Sequence, residues 1–307
     1  MSASSAALST SAAPSPATPL RAADSPSVLA RRRFLRHRFA LTGLVLLAVI
    51  VVSVVLAPLL APQPPNAIDL SVYRMPPSLA HPLGTDDAGR DVMSRLLYGG
   101  RLTLTIGFLV ALLSTVIGLI VGAVAGSSRG IVDAAVARAT ELVLSFPGLI
   151  VVAMFAAIFG PSVAMLVVVL TFLAWPTPCL IVRGVTLSMR QLDFVVAARA
   201  LGAPRRRVIV HHIMPAVLSP LTVSSTVAAA QAILAEAGLS YLGFGVPPPD
   251  PSWGNMLSRA QSIAVLTGMP WLWIPPGLAI CLTVLSVNLV GDGLRDALDP
   301  RQSEARS

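Results

Sequence analysis

Six long stretches of this chain carry apolar side chains at nearly every position, and the charged residues fall between them: Phe39 to Leu60, Leu102 to Ala125, Leu142 to Phe159, Val163 to Val182, Ile213 to Ala235 and Trp271 to Val290. None of the six contains Asp, Glu, Lys, Arg or His. At 1.5 Å per residue the first run reaches about 30 Å, the thickness of a bilayer's hydrocarbon core. The pattern predicts an all-α, polytopic membrane protein with six transmembrane helices. Within the second run, Gly118, Gly122 and Gly126 recur every four residues, with Gly107 and Ala111 further up the same helix. That spacing predicts a stripe along which a neighbouring helix approaches closely, and packing explains it without any chemistry.

Composition agrees: 55% of the 307 residues are hydrophobic and 12% charged, too apolar for an ordinary soluble domain. The net charge of +8 raises the question of a nucleic-acid partner. Where the charges fall answers it. With the N-terminus placed in the cytosol, seventeen of the 22 basic residues, all Arg, lie on the cytosolic side, and only Arg74, Arg90, Arg95, Arg101 and Arg259 lie outside. The asymmetry needs the lipid bilayer and no nucleic acid, and it puts both termini in the cytosol. Residues 1–30, rich in Ser, Ala and Pro, are expected to be a disordered cytosolic tail. Residues 31–101 then form the first transmembrane helix, which RRRFLRHR (31–38) marks as an uncleaved anchor, and an extracytoplasmic loop. Residues 102–300 form a core with five transmembrane helices, and 301–307 are a cytosolic tail. Cys179 and Cys281 sit inside apolar runs without metal or redox spacing and read as small core residues.

The stretch AARALGAPRRRVIVHHIMP, residues 197 to 215, belongs to the longest cytosolic segment between spans, 183–212. Asp193 to Leu201 is good helix material. Gly202 is placed to end that helix in a left-handed conformation, and Pro204 to begin a second short helix as its first residue. Pro215 fits the first turn of the fifth span. Read from composition alone, this is a basic loop near anionic headgroups. It also resembles the cytosolic loop of bacterial ABC-importer permeases, whose pattern is Glu-Ala-Ala, three residues, Gly, nine residues, Ile, one residue, Leu, Pro. Here Val196-Ala197-Ala198, Gly202 and His212-Ile213-Met214-Pro215 keep Ala, Ala, Gly and Pro at that spacing, with Val196 in place of Glu. The resemblance implies a type I importer permease fold, and a loop of coupling helices that docks into a cleft of an ATPase subunit.

HPLGTDDAGRDVMSRLLYGGRLTLTIG, residues 81 to 107, narrows the resemblance to the C-type subunit of the dipeptide, oligopeptide and nickel permeases. Read physically, Thr85 or Asp86 caps a helix at the outer membrane surface, Asp87 and Asp91 pair with Arg90 and Arg95, and Gly99-Gly100 ends it. The carboxylates lack the alternating ligands and distal Glu of a calcium loop. Asp133, Arg138 and Glu141 ahead of Phe146-Pro147, then EAGLSYLGFG (236–245), PSWGNML (251–257) and NLVGDGLRDALDP (288–300), extend the likeness from about residue 31 to 300. It implies a homologous B-type permease subunit, two P-loop ATPase subunits holding ATP and Mg, and an extracytoplasmic solute-binding protein. Short peptides are the implied substrate, with nickel, glutathione-like and other small solutes as alternatives.

Absent residues constrain the chemistry. With no Lys in the chain a standard Walker A motif cannot form, so no cofactor is expected here and ATP hydrolysis is assigned to another polypeptide. Gly243-Phe244-Gly245 and Gly291-Asp292-Gly293 lack dinucleotide-site context and read as turns. An ion-coupled secondary transporter would carry ionisable groups at membrane depth; only Glu236, at the outer end of the fifth span, approaches that, and a polar contact beside an outer vestibule is the reading adopted. A serine-type intramembrane hydrolase would need a base in the spans, and no His lies in one. His211 and His212 are adjacent, so on a helix they point about 100° apart and make a poor metal pair.

Overall fold

A computed structural model describes residues 32–128 and 130–298, except the side chains of residues 199, 205, 206 and 212. The two tails expected at 1–30 and 301–307 lie outside the described residues. The described chain is helical and contains no strand; its one β-type pairing is an isolated bridge between Thr85 and Asp91.

Helix α1 (Arg38–Val55) starts at His37, whose Nδ1 accepts the Ala40 N–H at 3.1 Å, and the short α2 (Ala57–Leu60) follows with Pro58 in its first turn. Helix α3 (Val92–Ser127) runs 36 residues, about 54 Å at the helical rise. Helices α4 (Ile131–Leu144) and α5 (Gly148–Phe159) come next, then α6 (Val163–Ala174) and α7 (Pro176–Met189), which join at Trp175 into one 27-residue span. Helix α8 (Asp193–Ala200) and α9 (Arg205–Val208) lead through a single π-turn, Ile209–Ile213, into α10 (Met214–Tyr241). The short α11 (Trp253–Leu257) and α12 (Ile263–Gly268) precede α13 (Ile274–Leu298).

Five of these stretches are long and apolar enough to cross a membrane, and a sixth is reached only if α4 and α5, bent 79° apart, count as one span. The third apolar run, Leu142 to Phe159, is therefore not one straight helix. Pro147 has no N–H to donate and disfavours helical geometry at Phe146, so α4 closes at Leu144 and α5 restarts after the proline. Alone, α5 is about 18 Å long, short of the ~30 Å core.

Helix α3 is the hub, packed against α1, α6, α7 and α10, while α13 fits between α1 and α10. The glycine stripe makes a close approach. A Cβ on Gly118 would lie 2.6 Å from Pro178 Cγ, on Gly122 2.5 Å from the Cys179 carbonyl oxygen, and on Gly126 2.6 Å from Thr186 Cβ, so α7 lies directly on bare α3 backbone. Ile106, Val110, Leu166, Leu170 and Leu239 fill the centre of the bundle. A second cluster of Val182, Val195, Val208, Ile213 and Val217 sits beneath α8 and α9.

Candidate functional site

At one end of the bundle, residues 190–213 form a helix, a tight turn and another helix. Helix α8 ends in a Schellman turn: the Ala203 N–H donates to the Ala198 carbonyl at 3.0 Å, and Gly202 sits at φ +85°. The conformation is one that a side chain resists, and no other described part of the chain lies within 4 Å of where a Cβ would be, so backbone torsion selects glycine there. Pro204 lies one residue ahead of α9 rather than inside it; its carbonyl accepts the Arg207 and Val208 N–H groups at 2.9 and 3.2 Å. Pro215 occupies the first turn of α10. Without an N–H it leaves the preceding turn a bond short, and the chain widens there so that Met214 N–H reaches back to the Ile209 carbonyl.

Val195 and Val208 are fully buried and pin the two short helices onto the bundle. The opposite face stays open. Leu192, Phe194, Val196 and Leu201 are 43%, 50%, 52% and 88% exposed, Ala197 is exposed and Ala198 partly so. Arg190 steadies the base of the loop by donating to the Gly126 and Ser128 carbonyls at the C-terminal end of α3, at 3.2 and 3.1 Å. Beside it, Arg183 grips Asp133 with two bonds of 2.5 and 3.0 Å, tying α7 to the start of α4.

The segment 81–107 corrects the sequence reading. Neither Thr85 nor Asp86 caps a surface helix; residues 85–91 are a turn, and Asp91 caps α3 by accepting the Ser94 N–H at 2.7 Å and its hydroxyl at 2.8 Å. Asp86 folds the turn back on itself, accepting the Ala88 and Arg90 N–H groups at 2.8 and 3.0 Å and the Arg90 guanidinium at 2.8 Å. Local bonding of this kind competes with helix, which is why the acidic run forms a turn. The expected pairs are re-sorted. Asp87 meets Arg259 as well as Arg90, Asp91 meets His81 at 3.0 Å, and Arg95 donates to the Pro65 carbonyl and Asn66 while lying 3.8 Å from Asp86. Asp91 is 0% and Arg95 6% exposed, so neither belongs to a surface pair. Nearby, bonds from the Ser71 hydroxyl and N–H hold the Asp69 carboxyl below its usual range. Gly99 and Gly100 do not end a helix either. They lie inside α3, where the absent side chains admit the backbone of Ser252 and the ring of Trp253.

Glu236 makes the polar contact expected of it, but its carboxylate is enclosed rather than beside open space. It accepts the Thr103 hydroxyl at 3.1 Å and the Ser240 hydroxyl at 2.7 Å. Those hydroxyls in turn accept the N–H groups of Trp253 and Val246, at 3.2 and 3.1 Å. The Trp253 indole donates to the Leu96 carbonyl at 2.8 Å. One carboxylate thus joins α3, α10 and the inserted α11. Thr103, Ser240 and Trp253 were not singled out from the sequence as site residues; HPLGTDDAGRDVMSRLLYGGRLTLTIG, EAGLSYLGFG and PSWGNML contain them and flagged their neighbourhoods without giving any of the three a role.

Among the described residues, crossing helices without strands, a close-packed five- to six-span bundle and a short helical pair standing out from one end make a polytopic all-α membrane protein. Residues 114–304 match the model of the binding-protein-dependent transport system inner membrane component, and residues 25–82 match the N-terminal TM domain of oligopeptide transport permease C. A Brucella suis biovar 1 protein named as a peptide permease is 42% identical over 280 residues, covering 91% of this chain and 93% of the relative. The oligopeptide transport system permease protein OppC of Haemophilus influenzae is 38% identical over 274 residues, covering 89% and 88%. Among solved structures, the inward-facing MetNI methionine ABC transporter shares the fold at a TM-score of 0.54 and 19% identity, over 68% of this chain and 98% of that one. The chain belongs to the family of binding-protein-dependent transport system inner membrane components, in the branch of the C-type oligopeptide permeases.

Proposed function

We propose that this chain is the C-type membrane subunit of an ATP-driven importer of short peptides, with the open face of α8 as its contact to an ATPase. The names of its relatives support the peptide substrate. The observation that carries the coupling role is the pairing of a buried anchor, Val195 and Val208, with an exposed apolar face at Phe194, Val196 and Leu201. Apolar side chains held out by a fixed turn, at the end where the sequence concentrates Arg, suit a protein partner on the cytosolic side.

In this reading both termini are cytosolic, a B-type permease completes the translocation path, and two P-loop ATPases dock below. ATP and Mg are held by those ATPases, and this chain catalyses no reaction itself. A solute-binding protein delivers peptide from outside. When the ATPases close, α8 moves as a rigid body with them. Its displacement passes through the Gly202 turn and the π-turn into α10, and through Arg190 into the end of α3, so the two spans shift together and access alternates.

Purification of the tagged chain from its native membrane in mild detergent, with mass spectrometry of what accompanies it, tests the reading. A second permease and one or two P-loop ATPases are expected. Recovery as a single species or homo-oligomer across several detergents would contradict it and favour an ion-coupled transporter.

A further inference from the structure

Gln231 lies on α10 about 5 Å from the helix midpoint, well inside hydrocarbon depth. Its side chain is exposed on the bundle surface and makes no hydrogen bond among the described residues. A carboxamide carries two donors and an acceptor, and none of these finds a partner in lipid tails. Polar side chains at this depth face a protein interior or a water-filled cavity. Gln231 borders a recess of about 200 Å³ walled by Gly148, Val152, Leu170, Ala228 and Ala235. Every other side chain around it is apolar, and those of Ala228 and Ala235, above and below Gln231 on the same helix face, are small. Glu236 is unavailable to this space, being held in its own hydrogen bonds to Thr103 and Ser240.

We propose that Gln231 lines the translocation path and hydrogen-bonds the backbone amides of passing peptides. The proposal rests on the peptide-import reading and deepens it. Short peptides of different sequence share their backbone N–H and C=O groups, and a neutral carboxamide complements both without selecting for side-chain charge. The small alanines leave room for varied side chains, and the lack of any carboxylate, imidazole or thiol in the lining disfavours a metal cation.

The test uses the assembled importer with its binding protein in proteoliposomes. The chain carries Gln231→Cys together with Cys179→Ser and Cys281→Ser, and the probe is the charged thiol reagent trimethylammonium-ethyl methanethiosulfonate. Rapid modification, slowed severalfold by trialanine with its binding protein, is expected; Ala228→Cys, one turn away, should behave alike and guards against misassembly of the first variant. Modification that trialanine does not slow, in an importer that still takes up trialanine, would overturn amide recognition alone; an unsubstituted importer that takes up no trialanine would overturn the peptide reading with it. Reaction with lipid-soluble N-ethylmaleimide but not with the charged reagent would place this face in lipid or against the second permease, overturning the path assignment while leaving peptide import standing. In the native background Gln231→Leu should raise the KM for trialanine uptake roughly tenfold, as loss of one hydrogen bond predicts, with ATPase co-purification unchanged.

Discussion

The hydroxyl of Thr103 on α3 donates to the carboxylate of Glu236 on α10 at 3.1 Å, and the same oxygen accepts the backbone N–H of Trp253. The two residues are 133 positions apart, and their bond holds the inserted α11 between two spans. Thr103→Val removes a donor from a fully buried carboxylate and strands the Trp253 N–H. The expected loss is about 1–3 kcal/mol, the cost of leaving buried polar groups unpaired. Thermal unfolding of the purified chain measures it, and the double variant with Glu236→Leu should lose less than the two singles added together.

Asp91 ends up at the N-cap of α3 and against His81, wholly buried. Asp91→Ala should therefore cost about 1–2 kcal/mol for the cap alone, and more once His81 loses its partner. Asp91→Asn, which keeps an acceptor oxygen, should lose less. Unfolding midpoints no lower for Ala than for Asn would contradict the capping geometry.

Gly122→Leu should be far more damaging than its small size suggests. The first added carbon alone would fall 2.5 Å from the Cys179 carbonyl oxygen, and that neighbour is backbone, which cannot rotate away. Separation of α3 and α7 predicts low yield of folded chain in membranes. Gly184→Leu on α7, where a Cβ meets nothing within 4 Å, serves as the contrasting variant and should express near the parent level.

Gly202→Val acts through torsion, since the position is open but left-handed. The strain is about 1–2 kcal/mol, concentrated at the end of α8. The fold should survive while ATPase co-purification or peptide-stimulated ATP hydrolysis falls. Unchanged values of both would sink the coupling assignment.

What could be read from the sequence followed from local rules. The apolar runs and the glycine stripe needed only periodicity, and the turn at Gly202 needed only a helix former followed by Gly and Pro. Pro147 was a local signal as well: it breaks the third apolar run, which supplies a sixth span only if α4 and α5, bent 79° apart, count together. The outer segment failed for a different reason. Thr85, Asp86 and Asp91 are all competent caps, and what chooses Asp91 is His81 and the buried Ser94 around it. Gly99-Gly100 read as a stop because glycine ends helices; its actual role depends on Trp253, whose approach no local pattern announces. Glu236 was visible as an acid at the end of the fifth span, but its partners come from α3 and from its own next turn, and only the fold brings the first of these together with it.

The central claim is that α8 touches an ATPase, and a photocrosslinking residue at Val196 tests it most directly. With p-benzoylphenylalanine at that exposed position, illumination of native membranes should join the chain to a P-loop ATPase, and the yield should fall in the Gly202→Val background. An intact complex that co-purifies with its ATPase, yet crosslinks at position 196 only to lipid or to the second permease, would contradict the account.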